Sequence, residues 1–278
     1  MRAWTTADGL VLHQQHWPHP APRDHVLVVH GLGEHLGRYE RLAQDLVAAG
    51  YAVTAYDQRG HGRSPGGRGA IPTPEALLDD LSRAIDACRP GVLLGHSMGG
   101  LVAARFVAES LADRPAAWSR PVRRLVLSSP ALDAGLGLPQ RLLLGLMERV
   151  APSVPLGNGL DPAWVCSDPA VVRAYIDDPL VHDRITARLV RFIVDGGERV
   201  RALAPRWATP TLLMWAGADR CVNPRGSQAL ADTAPAAVLS HRLWPTMAHE
   251  IFNEPERRQV VEHLVHHLQA TDPGRSPP

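Results

Sequence analysis

The sequence contains no lysine. All 29 of its basic residues are arginines, and with 28 acidic residues they leave a formal net charge of +1 at pH 7. Charges so closely balanced create no broad surface field of one sign. Nucleic acids and anionic membranes attract proteins mainly through such fields, so we predict no nucleic-acid partner.

Cysteine is also scarce. Cys88, Cys166 and Cys221 are odd in number and far apart, so the sequence predicts neither a disulfide framework nor a zinc site of paired cysteines. No apolar run reaches the length of a membrane span, and residues 1–6 lack the apolar core and cleavage pattern of a signal peptide. Together these absences predict a cytoplasmic protein.

Apolar runs typical of buried strands alternate with segments of helical periodicity. The predicted strands lie at 10–13, 15–17, 25–29, 51–56, 91–94, 124–128, 210–215 and 237–244. The predicted helices lie at 39–49, 74–88, 101–113, 225–233 and 255–269. This alternation predicts an α/β fold with a mostly parallel sheet flanked by helices.

The alternation is interrupted once, between the strands at 124–128 and 210–215. The interval contains helical pieces separated by proline and glycine, without a strand pattern. A chain of 278 residues that is 45% hydrophobic can form one large domain with an inserted subdomain. We therefore predict an α/β core (1–132 and 206–270), a helical cap inserted into it (133–205) and a disordered tail (271–278).

Residues 95–99 read Gly-His-Ser-Met-Gly, directly after a predicted strand and before a helix of small residues. This context is typical of a nucleophile elbow, in which a tight turn exposes the serine hydroxyl. Gly95 and Gly99 remove side chains for which the turn has no room. We predict that Ser97 is a nucleophile; the alternative is a glycine-rich turn without chemistry.

A serine nucleophile requires a general base and an acid that orients the base. His249 follows the last predicted strand, and Asp219 follows the strand at 210–215. All three candidates therefore lie at carboxyl ends of strands, where open α/β sheets place their sites. The alternatives are a turn aspartate that caps a helix and an exposed loop histidine.

An oxyanion hole requires two backbone N–H groups. Met98, which follows the nucleophile, is one predicted donor. Leu32, in the glycine-containing loop 30–35, is the other, although this loop is also explained as a flexible connection. These amides would donate hydrogen bonds to the negatively charged oxygen of a tetrahedral intermediate.

Three weaker patterns favour structural explanations. The last helix carries three histidines without a carboxylate cage, the glycine-rich segment 60–69 lacks the lysine and the following helix of a phosphate loop, and His249-Glu250 lacks the second histidine of a zinc protease. We predict a solvated helix face for the histidines and a tight turn for 60–69. The three histidines of the last helix are His263, His266 and His267. We predict no metal and no cofactor.

The sequence resembles the α/β-hydrolase superfamily, and within it the monoacylglycerol lipase and lysophospholipase-like serine hydrolases of bacteria. The resemblance covers nearly the whole chain, and its most specific stretch is 30–69, with HG-x-GEH-x-x-RY at its start and D-x-RGHG-x-S-x-G-x-RG at its end. Shorter matches are GHSMGG at 95–100, SSPAL at 128–132, DDPL at 177–180, GADR at 217–220 and AHEIFNE at 248–254.

The resemblance implies an α/β-hydrolase fold with a helical cap over the site. It also implies Ser97, Asp219 and His249 as a triad, with Leu32 and Met98 as oxyanion donors. Glu34 and Arg38 match the same motif; they would order the loop or meet a polar head group, and an internal ion pair is an equal alternative. Cys221 and Asn223, close to Asp219, depart from the pattern of many relatives.

These observations lead to the hypothesis of a serine ester hydrolase that cleaves monoacylglycerol-like lipids. Lysophospholipids and short-chain esters are alternative substrates, and an acyltransferase, a perhydrolase or a non-catalytic binding protein are alternatives of other kinds. Leucines between 136 and 146, with Met147, exceed what one small helix needs for its own packing. They would line an acyl tunnel, contact a lipid interface transiently, or simply attach the cap. The oligomeric state is not predicted.

Overall fold

The computed structural model describes residues 4–271. The strands are β1 (Trp4–Thr5), β2 (Val11–Leu12), β3 (Gln14–Trp17), β4 (His25–Val29), β5 (Ala52–Tyr56), β6 (Val92–His96), β7 (Arg124–Ser128), β8 (Pro155–Gly157), β9 (Arg184–Thr186), β10 (Thr211–Ala216) and β11 (Leu239–Trp244). The α-helices are α1 (Glu40–Ala48), α2 (Ala76–Cys88), α3 (Ser97–Glu109), α4 (Leu138–Val150), α5 (Pro169–Asp177), α6 (Ala187–Leu203), α7 (Arg225–Thr233) and α8 (Arg257–Ala270). Among these residues, no helix combines the length and the apolar character needed to cross a membrane.

Seven strands form the central sheet, in the order β11-β10-β7-β6-β4-β5-β3. All neighbours are parallel except β3, which pairs antiparallel with β5 at one edge. The predicted mostly parallel sheet is thus confirmed. The two short strands predicted near the amino terminus do not pair with each other, because β2 pairs with β1 and β3 joins the central sheet.

Helices cover both faces of the sheet. Successive residues of β4 alternate between two apolar cores: Leu27 and Val29 lie in one, with residues of α2, α3 and α6, and Val26 and Val28 lie in the other, with residues of α1 and α8. Continuous apolar runs predict strands buried on both faces, and the two cores explain why β4 has no polar side. Because these strands are parallel, their carboxyl ends lie at the same end of the sheet, and the candidate site is located there.

The segment between β7 and β10 lies outside the central sheet. It contains α4, α5 and α6, as the sequence predicts, and also an antiparallel pair formed by β8 and β9. The prediction that this segment has no strand is wrong at these two places. Each strand has three residues, and β8 contains proline and glycine and is exposed throughout, so neither carries an apolar alternation. Residues 272–278, most of the predicted disordered tail, lie outside the described residues.

Candidate active site

A strained turn joins β6 to α3. Ser97 is the first residue of the helix and has a φ of +54°, which is rare for a residue other than glycine. A Cβ at Gly95 would lie 2.4 Å from the carbonyl oxygen of Gly99, and a Cβ at Gly99 would lie 2.2 Å from that of Val29. The two glycines therefore avoid collisions with the backbone rather than with the serine, and they permit the close approach on which the elbow depends.

His249 and Asp219 meet because β10 and β11, which precede them, are neighbours in the sheet. Nδ1 of His249 donates to Oδ2 of Asp219 at 2.7 Å, and the Asp219 side chain is 1% exposed. The other carboxylate oxygen, Oδ1, accepts the backbone N–H groups of Cys221 and Val222 at 2.8 and 3.0 Å. With both oxygens engaged, the carboxylate has one orientation, and it fixes the imidazole so that Nε2 is available as an acceptor.

A cavity of about 30 Å³ brings several predicted site residues together. Ser97 and His249 both line it, with Leu32 and Glu34 from the loop after β4. Met98 is 1% exposed and lies in the first turn of α3, beside Ser97. Asp219 does not line the cavity but lies behind His249. The remaining lining residues are Gly31, His96, Leu160, Val165, Tyr175, Cys221 and Glu250.

The surroundings of His249 favour its charged form. Burial alone would lower the pKa of the imidazole, but the Asp219 carboxylate and its hydrogen bond outweigh burial, and Glu250 and Glu34 add to their effect. The net result is a pKa raised above 6.5. Negative charge around the base therefore stabilises an imidazolium, which is the state formed when the histidine takes a proton from a nucleophile.

A second imidazole lies against the first. The rings of His96 and His249 have centroids 4.7 Å apart, and Nδ1 of His96 shares a hydrogen bond of 3.0 Å with Oγ of Ser128. Burial, followed by the proximity of His249, lowers the pKa of His96 well below 6.5. A neutral His96 therefore packs against His249 without adding positive charge.

Glu34 and Arg38 form the internal ion pair that the sequence left as an alternative. Nε of Arg38 lies 3.3 Å from Oε2 of Glu34, and Arg38 also donates to Glu250. Burial opposes the Arg38 charge, but Glu250 and Glu34 outweigh it and raise the pKa of the guanidinium. The guanidinium carbon lies 4.7 Å from the ring centre of Tyr175, which belongs to α5. Neither Glu250 nor Tyr175 was predicted as a site residue. The signal available for Glu250 was its position next to His249, and the sequence gives no signal for Tyr175.

The loop that carries Leu32 is held from two sides. On the core side, Oε1 of Glu34 accepts the Gly31 N–H at 2.5 Å. On the other side, a hydrogen bond of 2.8 Å links Nε2 of His35 to Oδ2 of Asp178, which follows α5. The N–H of His182 also donates to the carbonyl oxygen of Gly33 at 2.9 Å. The segment between β7 and β10 thus contacts the loop directly.

The remaining sequence predictions have mixed outcomes. The side-chain amide of Asn223 donates to Oδ2 of Asp133 at 3.0 Å, whereas Asp219 bonds to His249 and to the N–H groups of Cys221 and Val222. The segment 60–69 is a tight turn in which Arg68 donates to the carbonyl oxygen of Gly62 at 2.9 Å. On the last helix, where a solvated face was predicted for the histidines, His266 is exposed, and His263 and His267 are half-buried.

Comparison with known proteins identifies the family. The profile of the serine aminopeptidase S33 family matches residues 20–256. The chain belongs to this family. The predicted α/β-hydrolase membership is therefore confirmed.

Curated relatives cover most of the chain. It is 33% identical over 254 residues to a monoacylglycerol lipase of Mycolicibacterium smegmatis, and the aligned region covers 88% of each chain. It is 31% identical over 257 residues to phospholipase YtpA of Bacillus subtilis, covering 88% of this chain and 95% of that protein. A similar match, 33% identical over 267 residues, spans 28% of a larger abhydrolase domain-containing protein of Dictyostelium discoideum.

The fold is also similar to solved structures. A monoacylglycerol lipase of Paleococcus ferrophilus superposes with a TM-score of 0.81 at 36% identity, covering 92% of this chain and 99% of that one. A monoglyceride lipase of Saccharomyces cerevisiae has a TM-score of 0.82 at 22% identity, covering 97% and 96%. The second, at its lower identity, supports the fold alone.

Proposed function

We propose that this protein is a serine ester hydrolase that cleaves monoacylglycerol-like lipids to a fatty acid and glycerol. The observation that carries the proposal is the 2.7 Å bond between His249 and Asp219, behind a cavity that Ser97 and His249 both line. A base held in one tautomer beside a strained serine is suited to acyl transfer. The lipase relatives support the same reaction.

The mechanism follows from these positions. Nε2 of His249 takes the Ser97 proton while the hydroxyl oxygen attacks the acyl carbonyl, and Asp219 stabilises the imidazolium. The backbone amides of Leu32 and Met98 bind the oxyanion, and loss of one such donor costs about 3 kcal/mol of transition-state stabilisation. His249 then protonates the leaving alcohol, and water attacks the acyl-enzyme to release the fatty acid.

We assign residues 133–205 as the cap that receives the substrate. A second cavity, of about 260 Å³, lies within this segment and shares Leu160, Val165 and Tyr175 with the catalytic cavity. Its lining also includes the apolar residues Ile176 and Val181, which suit an acyl chain, and the polar residues Asn158, Asp161, His182 and Asp183. Lysophospholipids and short-chain esters remain alternative substrates.

The nucleophile is tested with a fluorophosphonate probe and an ester panel. We expect the probe to label the wild type and not Ser97→Ala, and Ser97→Ala to lose esterase activity. Ser110→Ala is the matched control, because Ser110 is exposed at the end of α3. The panel comprises monoacylglycerols of several chain lengths, di- and triacylglycerols, lysophosphatidylcholine and p-nitrophenyl esters. Labelling of Ser97→Ala would refute the nucleophile, and a strong preference for lysophosphatidylcholine would refute the monoacylglycerol assignment.

We further propose that α4 contacts a lipid interface transiently. Its solvent-facing leucines are unusually exposed, with 68% for Leu142 and 57% for Leu146, whereas Leu144 is buried. A row of exposed apolar side chains is favourable only when another apolar phase covers it. The cytoplasmic location stays a prediction.

The double variant Leu142→Ser/Leu146→Ser tests this contact. We expect a lower rate on long-chain monoacylglycerol presented as vesicles, and an unchanged rate on a water-soluble p-nitrophenyl ester. Arg149→Gln, on the same helix, is the control. Equal losses on both substrates would show that the leucines act on the site rather than at an interface.

A further inference from the structure

The candidate triad has a thiol beside it. The ligand atoms of Asp219, Cys221 and His249 all lie within 4.8 Å of one another. Cys221 is held there by its own backbone, because its N–H donates to Oδ1 of Asp219 at 2.8 Å. The thiol sulfur lies within 4.8 Å of both an Asp219 carboxylate oxygen and a His249 ring nitrogen.

The cluster of Asp219, Cys221 and His249 is accessible from the catalytic cavity. Cys221 and His249 both line the cavity, and Cys221 is partly exposed. An ion that enters the cavity would meet the sulfur and the imidazole first and the Asp219 carboxylate behind them. All three residues belong to the loops that follow β10 and β11, at the carboxyl ends of these parallel strands.

The donor set is selective. One sulfur, one imidazole nitrogen and one carboxylate oxygen are ligands typical of zinc, whereas Mg²⁺ and Ca²⁺ prefer oxygen alone. Three protein ligands leave a fourth tetrahedral position for water. Glu34 and Glu250 line the same cavity, and both are paired with Arg38, so the three ligand positions carry the argument.

We propose that Asp219, Cys221 and His249 form an inhibitory site for one thiophilic divalent cation of the Zn²⁺ and Cd²⁺ class. Binding releases the Cys221 thiol proton to solvent and forms a metal–sulfur bond. The imidazole proton moves from Nδ1 to Nε2 as Nδ1 takes the metal. Nε2 then carries a proton and no longer accepts one from Ser97, so catalysis stops until a chelator removes the ion. The inhibition rests on the proposed function, whereas the metal site rests on the three ligand positions alone.

The site is tested by binding and by activity separately. Protein freed of metal with EDTA is titrated with Cd²⁺, and the ultraviolet thiolate-to-cadmium charge-transfer band reports binding. Ester hydrolysis is then measured over a series of buffered Zn²⁺ concentrations. We expect one Cd²⁺ per chain, inhibition by Zn²⁺ and full recovery with EDTA.

Cys221→Ser removes the soft ligand and should abolish the band. Loss of one ligand should raise the Zn²⁺ concentration for half-inhibition by about tenfold or more. Cys88→Ser is the matched control, because Cys88 ends α2 and its carbonyl oxygen bonds to His25 at the start of β4, the end of the strand remote from the cavity. If Cys221→Ser does not fold, His249→Gln provides the same binding test, with a weakened band expected.

The outcomes separate the two proposals. A band that persists in Cys221→Ser, or equal Zn²⁺ inhibition of wild type and Cys221→Ser, would overturn the metal site. So would the absence of Cd²⁺ binding by the wild type. A band that depends on Cys221 in a protein without activity on any ester would uphold the site and refute the hydrolase function.

Discussion

At the residue scale, Gly99 has no space for a side chain where α3 begins. A Cβ there would lie 2.2 Å from the carbonyl oxygen of Val29 and 2.3 Å from that of His30. These are backbone atoms of β4 and of the residue that follows it, so they cannot move without moving the strand that leads into the Leu32 loop. The glycine thus couples the elbow to the predicted oxyanion loop.

We therefore expect Gly99→Ala to reduce the free energy of unfolding by about 2 kcal/mol or more, as measured by urea denaturation. Gly145→Ala is the matched control, because Gly145 lies inside α4 and the nearest atom to its Cβ position is a side-chain nitrogen 3.7 Å away. Alanine favours a helix, so this variant should gain about 0.5–1 kcal/mol. Equal effects of the two substitutions would contradict the steric explanation.

At the element scale, the contact between α5 and the Leu32 loop depends on the pair His35 and Asp178. His35, which also caps the short helix after this loop by accepting the Gly37 N–H at 3.1 Å, is 8% exposed. The 2.8 Å bond to Asp178 is therefore partly buried and holds the loop against the segment between β7 and β10. The position of the Leu32 amide depends on this loop.

We expect Asp178→Asn to lower kcat/KM by about fivefold, which corresponds to about 1 kcal/mol. The fall should lie mainly in kcat, and amide hydrogen exchange at 31–37 should become faster. Asp177→Asn is the control, because Asp177 is exposed at the end of α5. Equal kinetic effects of the two variants, or unchanged exchange in Asp178→Asn, would exclude this positioning role.

Much of the element pattern was predictable, for physical reasons. Strand β4 was predicted with its observed bounds, because a strand buried on both faces must be apolar throughout. Ser97 and Asp219 could be proposed because each follows such a strand, whereas His249 follows β11, whose four central residues are exposed. Tyr175 was not found, since its contact with Arg38 exists only after α5 has packed over the core. The pair β8 and β9 was missed because backbone hydrogen bonds form it without an apolar pattern.

At the scale of the whole molecule, three histidine rings pack together where the segment between β7 and β10 meets the loops after β4 and β5. His30 follows β4, His61 follows β5 and His182 precedes β9; ring centroids are 5.3 Å apart for the first pair and 4.8 Å for the second. Burial lowers the pKa of His30 to about 4 and that of His182 to about 4. Burial, and then the neighbouring His30 and His182, lowers the pKa of His61 well below 6.5.

Other charged groups near these three histidines shift their pKa values in both directions. Asp57 raises the pKa of His30, and Arg68 lowers those of His61 and His182. Burial is the largest cause for all three histidines, so the folded protein keeps them neutral at a pH where the unfolded chain binds protons. For His30 and His182 the contribution to stability is complete above pH 6.5 and is lost as the pH falls from there to about 4, and the lowered pKa of His61 acts in the same direction.

Stability should therefore decrease steeply on acidification through this window, by up to about 1.4 kcal/mol per pH unit for each fully buried histidine. The free energy of unfolding, measured by urea denaturation at intervals between pH 7 and pH 4.5, tests this. We expect His61→Gln to have a shallower slope by about one proton, whatever its absolute stability, because glutamine does not titrate. His266→Gln, at an exposed position in α8, should keep the wild-type slope. A slope in His61→Gln equal to that of the wild type would mean that groups other than these three histidines determine the acid sensitivity of the fold.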